Sequence, residues 1–214
     1  MEAVAAVAAV VGRGSGPPKV RKTKGSGVVV IPAVLAVIVV GVLAFVVAGF
    51  NKLKRSDIRV DEALGGIDVQ LTRRADLIPN LVEVVKGYAG HERGVLDEVT
   101  TARAGVQHAI QDSVTSRSEA DAAMQRALLH MNAVAEAYPD LKASTNFAQL
   151  QQQLAETEQQ LSFARQYYND AVATLNGLVE TIPWMFLTGL AGVRSRSFYD
   201  APVANEAPPS ASFG

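Results

Sequence analysis

Hydrophobic and polar positions divide the chain into regimes of different period. From Val28 to Phe50 there is no alternation at all: VVVIPAVLAVIVVGVLAFVVAGF runs 23 residues without one charge. A helix needs about 20 apolar residues to cross the hydrocarbon of a bilayer. The run predicts one transmembrane helix over 28–50, with the lipid bilayer as a partner. Uninterrupted apolar runs in buried core helices are shorter, about 10–14 residues. A cleaved signal peptide has a shorter apolar core, nearer the first residue. Pro32 falls near the start, where a missing N–H costs least.

Beyond Phe50 the period becomes that of amphipathic helices. Val60, Leu64, Ile67, Leu71, Ala75, Ile78, Val82 and Val85 step by threes and fours and fall on one stripe. Pro79 interrupts it, which predicts either a kinked helix or two helices meeting there. The stripe resumes through Tyr88, Val95, Val99, Ala102, Val106 and Ile110. Asp112 to Ser118 breaks the pattern, and Ser116 with Glu119 reads as a capping box opening the next helix. That helix carries Ala120, Met124, Ala127, Met131, Val134 and Tyr138 up to Pro139, and Asn146 with Gln149 suits a further helix start.

The most regular stripe comes last. Phe147, Leu150, Leu154, Thr157, Leu161, Ala164, Tyr168, Ala171, Leu175, Leu178 and Ile182 alternate steps of three and four, a seam of coiled-coil type ended by Pro183. Nothing alternates with period two, so no sheet is expected. The prediction is an all-α protein: one N-terminal transmembrane helix followed by an up-down bundle of long antiparallel helices. Domain limits follow as a disordered basic segment 1–27, the transmembrane helix 28–50, the bundle 51–199 and a disordered Ala/Pro/Ser-rich tail 200–214.

Two stretches resemble the LemA family. One is Asp61 to Glu92, DEALGGIDVQLTRRADLIPNLVEVVKGYAGHE; the other lies in Val134 to Asn176, where VAEAYPDLKASTNFAQLQQQLAETE precedes ARQYYNDAV. The resemblance covers about residues 53 to 200 in matching order. It implies a membrane-anchored helical bundle with no settled biochemical activity. One branch of the family takes part in forming magnetosome membranes, so membrane organisation is implied as a possibility. The chain departs from the pattern at Leu64, where tryptophan is frequent, and at Gly65 and Gly66, where polar residues are usual.

Charge and composition narrow the chemistry. Net charge is −1 among 214 residues, and no basic face interleaved with aromatics appears, so nucleic acid is not an expected partner. Cysteine is absent, which removes disulfides, thiolate metal sites and thiol nucleophiles together. His91, His108 and His130 lack the i,i+3 or i,i+4 spacing of a helical metal site, so no metal or other cofactor is expected. Serines cluster in linkers and the tail, and no phosphate loop, nucleophile elbow or catalytic carboxylate pair is present, so the chain does not read as an enzyme. Basic residues flank the apolar run five before (Arg13, Lys19, Arg21, Lys22, Lys24) and four after (Lys52, Lys54, Arg55, Arg59). That narrow margin favours a cytoplasmic N-terminus and an extracytoplasmic bundle.

Two sets of residues carry the candidate chemistry. Arg73, Arg74, Asp76 and Asn80 surround Pro79, and Glu158, Arg165, Asn169 and Asp170 flank the long seam. They are expected to meet as a polar network that either fixes helix register or forms a docking corner. Lys52, Lys54, Arg55, Trp184 and Phe186 are membrane-interface candidates, because WMFLTGLAGV is an apolar patch containing the chain's one tryptophan. That patch either touches lipid or caps the bundle. The leading functional expectation is a membrane-anchored scaffold or adaptor that docks an unknown protein partner or copies of itself. A membrane-remodelling or lipid-binding element, and a ligand-sensing bundle, are the alternatives.

Overall fold

A computed structural model of the chain describes residues 26–199, with side chains from Ile31 onward. The basic N-terminal stretch, apart from its last two residues, and the C-terminal tail lie outside the described residues. Two compact units are distinguished, one up to Phe45 and one from Val46. In the first, every side chain from Ile31 onward is exposed, and its helix is long and apolar enough to cross a membrane. The second unit is the bundle.

All regular structure among the described residues is helical. Helix α1 is Ser26–Tyr88, α2 is Arg93–Ala109, α3 is Val114–Ala137, α4 is Pro139–Lys142 and α5 is Thr145–Glu180. A 3₁₀ turn, Trp184–Leu187, and a short α6, Thr188–Ala191, follow. Cross-helix bonds give the directions. Arg103 of α2 donates to the Ala75 carbonyl of α1, Tyr138 at the end of α3 donates to Glu92 beside the start of α2, and Gln151 of α5 donates to Asn132 of α3. The chain thus runs up, down, up and down through α1, α2, α3 and α5.

One core joins these helices. Ile67, Leu71, Ile78 and Val85 from α1, Val99 and Val106 from α2, Met124 and Met131 from α3, and Leu161, Tyr168 and Leu175 from α5 are all buried in it. Burying such side chains stabilises the fold by about 1.5–3 kcal/mol each relative to exposure. α5 has 36 residues, so at helical rise it is a rod of about 54 Å. Thr157, the polar residue on its seam, bonds back to the Gln153 carbonyl at 2.8 Å.

Several boundaries differ from the sequence expectation. α1 stays unbroken through Pro79, and the chain turns at Ala89–Glu92, where Gly90 weakens the helix. Tyr88, placed on the stripe by its spacing, is therefore exposed at the helix end. α3 is capped by Ser113, whose hydroxyl accepts from the Ser116 N–H, three residues before the expected box. α5 is capped by Ser144 through the Phe147 N–H, not by Asn146. α5 also stops at Glu180 rather than running to Pro183: Thr181, its C-cap, is already extended at φ −105°, ψ 146°. Ile182, the last expected seam position, is accordingly 73% exposed.

Candidate functional site

Where α1, α3 and α5 face one another, four charged side chains close a ring. Arg74 of α1 donates to Asp121 of α3 and, at 2.5 Å, to Glu158 of α5. Arg165, two turns along α5 from Glu158, donates to Asp121 at 2.5 Å and to Glu158 at 3.2 Å. Each arginine bridges both carboxylates, and each carboxylate receives both arginines. Two positive and two negative charges balance. Three corners are deeply placed, with side-chain exposures of 2% for Arg74, 0% for Asp121 and 12% for Arg165, whereas Glu158 at 37% opens to solvent.

A fifth group reaches the ring from beyond α5. The Tyr199 hydroxyl donates to Asp121 Oδ2 at 2.9 Å, and its ring lies 5.9 Å from the Arg165 guanidinium. Burial first, and then the Asp121 charge, push the Tyr199 phenol far above its usual pKa, so it remains a donor. For Arg165 burial opposes the charge, but Asp121 and Glu158 outweigh it and the pKa rises.

Tyr199 is brought there by an extended strap along α5. The Asn169 side chain donates to the Tyr199 carbonyl at 3.0 Å and accepts the Tyr199 N–H at 2.8 Å. Asn176 makes the same pair of hydrogen bonds with Arg196, donating to its carbonyl and accepting its N–H, both at 2.9 Å. The spacings match: seven helical residues rise about 10.5 Å, and three extended residues span about 10 Å. Ser197, between the two clamped strap residues, accepts from the Tyr168 hydroxyl at 2.9 Å, and the Tyr168 ring meets the Tyr199 ring edge-on. Arg196 reaches back to Asp57 of α1 at 2.8 Å, and that hydrogen bond raises its pKa.

Of the residues singled out in the sequence, Arg74, Glu158, Arg165 and Asn169 come together here. Arg73, Asp76, Asn80 and Asp170 do not; all four side chains are exposed. Arg73 and Asp76 line an open groove between α1 and α5, and Asn80 lines the next hollow along. Arg73 precedes Arg74, and Asp76 and Asn80 follow it, by steps that rotate them off the buried face. Asp121, Tyr199, Asn176 and Arg117 were missed. Arg117 of α3 binds Asp68 of α1 at 2.7 Å and also donates to the Ile110 and Asp112 carbonyls, securing the turn before α3. A signal existed: Arg117, Asp121, Met124, Leu128, Met131 and Ala135 keep heptad steps, with polar residues in the first two positions.

The interface candidates lie apart from the ring. Lys52 sits over the Trp184 ring at 4.8 Å from its centroid, while Lys54 is half-buried and Arg55 and Phe186 are exposed.

A four-helix bundle locked by buried interhelical charges, with one helix apolar enough to span a bilayer, defines the class. The model of the LemA family matches residues 63–213, and the chain belongs to that family. Among characterised proteins it is similar to magnetosome proteins MamQ 2 and MamQ 1 of Paramagnetospirillum magneticum, each 22% identical over 203 residues, covering 82% of this chain and 75% of theirs. It is also similar to magnetosome protein MamQ of Magnetospirillum gryphiswaldense, 20% identical over 165 residues, covering 66% of this chain and 61% of that one.

Proposed function

We propose that the chain is a membrane-anchored scaffold or adaptor whose bundle holds a fixed surface for a protein partner or for further copies of itself. The observation that carries this reading is the closed ring. Its four charges pair across three helices through the terminal arginine nitrogens, although the Nε donors of Arg74 and Arg165 are buried without a partner among the described residues, so the chemistry of the site goes into register rather than into a reaction. Such a lock suits a part whose outer faces must keep constant geometry. The similarity to magnetosome proteins supports a role at a membrane without naming a reaction.

The exposed aromatic pair Phe163 and Tyr167, one turn apart on the outer side of α5, is the surface we assign to docking. The five-to-four count of flanking basic residues favours a cytoplasmic N-terminus with the bundle on the far side. Protease accessibility on intact cells tests that orientation.

The chain has no cysteine, so a single Phe163→Cys or Tyr167→Cys thiol is unique. Crosslinking from either position in native membranes is expected to give a discrete larger species, absent from a control thiol at Arg73. A chain that stays monomeric and uncrosslinked from both positions counts against the scaffold reading.

A further inference from the structure

After α5 the chain makes a compact turn that presents bare apolar side chains. Thr181 to Val193 contains no charged residue. Ile182, Met185, Phe186 and Leu190 are exposed within nine residues, Phe186 to 72%. The same turn is anchored on its other side. A Cβ at Gly49 would lie 2.4 Å from Leu187 Cδ1 and 2.9 Å from Trp184 Cζ3, so the turn packs closely on α1 at Gly49, where a larger residue would force these side chains to shift. Gly49 is the next-to-last residue of the uncharged 28–50 run. Lys52 adds a cation–π contact to Trp184, and Gly192, at φ 62°, ends α6 in the left-handed conformation that glycine favours.

We propose that Thr181–Gly192 is a second membrane contact, lying in the headgroup boundary with Ile182, Phe186 and Leu190 dipped toward the acyl chains. Three observations single out lipid as the occupant. First, a 23-residue helix rises about 34 Å against about 30 Å of hydrocarbon, so Gly49 stands at the edge of the apolar layer. The side chains packed against Gly49, Trp184 and Leu187, stand there too. Second, the segment is apolar and its attachments are basic: Lys52 lies over the Trp184 ring, Lys54 and Arg55 follow Lys52 on α1, and Arg194 follows the turn in the chain. That pattern matches an interfacial element, with acyl chains beneath and anionic headgroups around. Third, the tryptophan is amphipathic and held beside a lysine, as in the aromatic belt of membrane proteins.

The segment therefore fixes the bundle to the bilayer at two points instead of one. A single helix leaves its cargo free to swivel; a second contact removes that freedom. The inference rests on the reading of 28–50 as a membrane span, and the experiment separates the two.

Trp184 is the only tryptophan, so Trp184→Phe with Phe186→Trp moves the sole indole to the most exposed position of the turn. The full chain is reconstituted into phosphatidylcholine vesicles containing phosphatidylglycerol, and vesicle flotation is checked first. A chain that does not float refutes the span and this inference together. For a chain that floats, the expected result is blue-shifted emission, quenched strongly by brominated phosphatidylcholine and little by aqueous iodide. Water-like emission quenched by iodide overturns the lipid contact while leaving the span intact. Protection from both quenchers, with crosslinking between chains, overturns it in favour of a protein neighbour. If Trp184→Phe lowers the melting temperature, Phe186→Cys carrying an environment-sensitive dye on the unaltered tryptophan background repeats the measurement.

Discussion

Arg103 supplies the hydrogen bond that Pro79 withholds. Pro79 has no N–H to offer the Ala75 carbonyl four residues back, and Arg103 Nε, from the neighbouring helix, donates to that carbonyl at 3.0 Å. The proline that would have loosened α1 becomes the point where α2 is tied to it.

A double-mutant cycle measures this partnership. Arg103→Met strands a part-buried carbonyl, and the expected loss is about 1–2 kcal/mol. In a Pro79→Ala background the new N–H satisfies Ala75, so the same change should cost clearly less. Thermal unfolding in mild detergent, followed by circular dichroism, gives both values. Equal losses in the two backgrounds would show that Arg103 acts through something other than the freed carbonyl.

The ring makes a sharper prediction. Arg74→Ala leaves Asp121 buried with one cation fewer, and Asp121→Ala leaves two arginines facing each other. Each is expected to lower stability by about 3–5 kcal/mol, and the double variant by less than the sum. Glu158→Gln, at the solvent-open corner, should cost about 1 kcal/mol because water screens its charge. Additive single losses, or a Glu158 variant as damaged as the Asp121 one, would refute a closed ring.

Alkaline pH probes the fifth member. The folded state holds Tyr199 protonated well above the ordinary tyrosine pKa of 10.0. Above that pH the unfolded chain has lost this proton while the folded chain keeps it, so stability falls as pH rises. Tyr199→Phe should start less stable near neutrality yet lose less on going to pH 11. A parallel slope for the two proteins would place Tyr199 outside the ring.

Gly65 and Gly66 offer the opposite sign. Both are exposed on α1, and an added Cβ meets nothing within 4 Å at either. Alanine at each site is expected to stabilise the helix by roughly 0.5–1 kcal/mol. A lower melting temperature would mean that these glycines serve flexibility or a close partner.

The long stripe of α5 was legible because apolar residues at steps of three and four have one good placement, against a core. Most stripe positions of α1 were legible for the same reason. The polar members were not. Asp121 shares the heptad phase of Met124 and Met131, yet an acidic residue in an alanine-rich helix reads as solvated until its arginine partners are known to face it. Arg74 and Glu158 stood out by their place beside a proline and a seam, whereas Arg73 and Asp76, equally charged, lie one or two residues off the buried face. The caps slipped for a local reason: Ser113 and Ser144 satisfy the same rule as Ser116 and Asn146, and the apolar pattern does not choose between neighbours. Pairings across the strap, such as Asn176 with Arg196, have no periodic signature, since one partner is extended chain.

Tyr199 lies beyond every long helix, and that carries a consequence for biosynthesis. A ribosome delivers Arg74 first, then Asp121, then Arg165, with the tyrosine arriving only after the whole of α5 has emerged. Until then the innermost carboxylate lacks its phenolic donor, and the nascent protein is held by an unfinished latch. Completion of the lock is thereby deferred until all the helices it joins are already out.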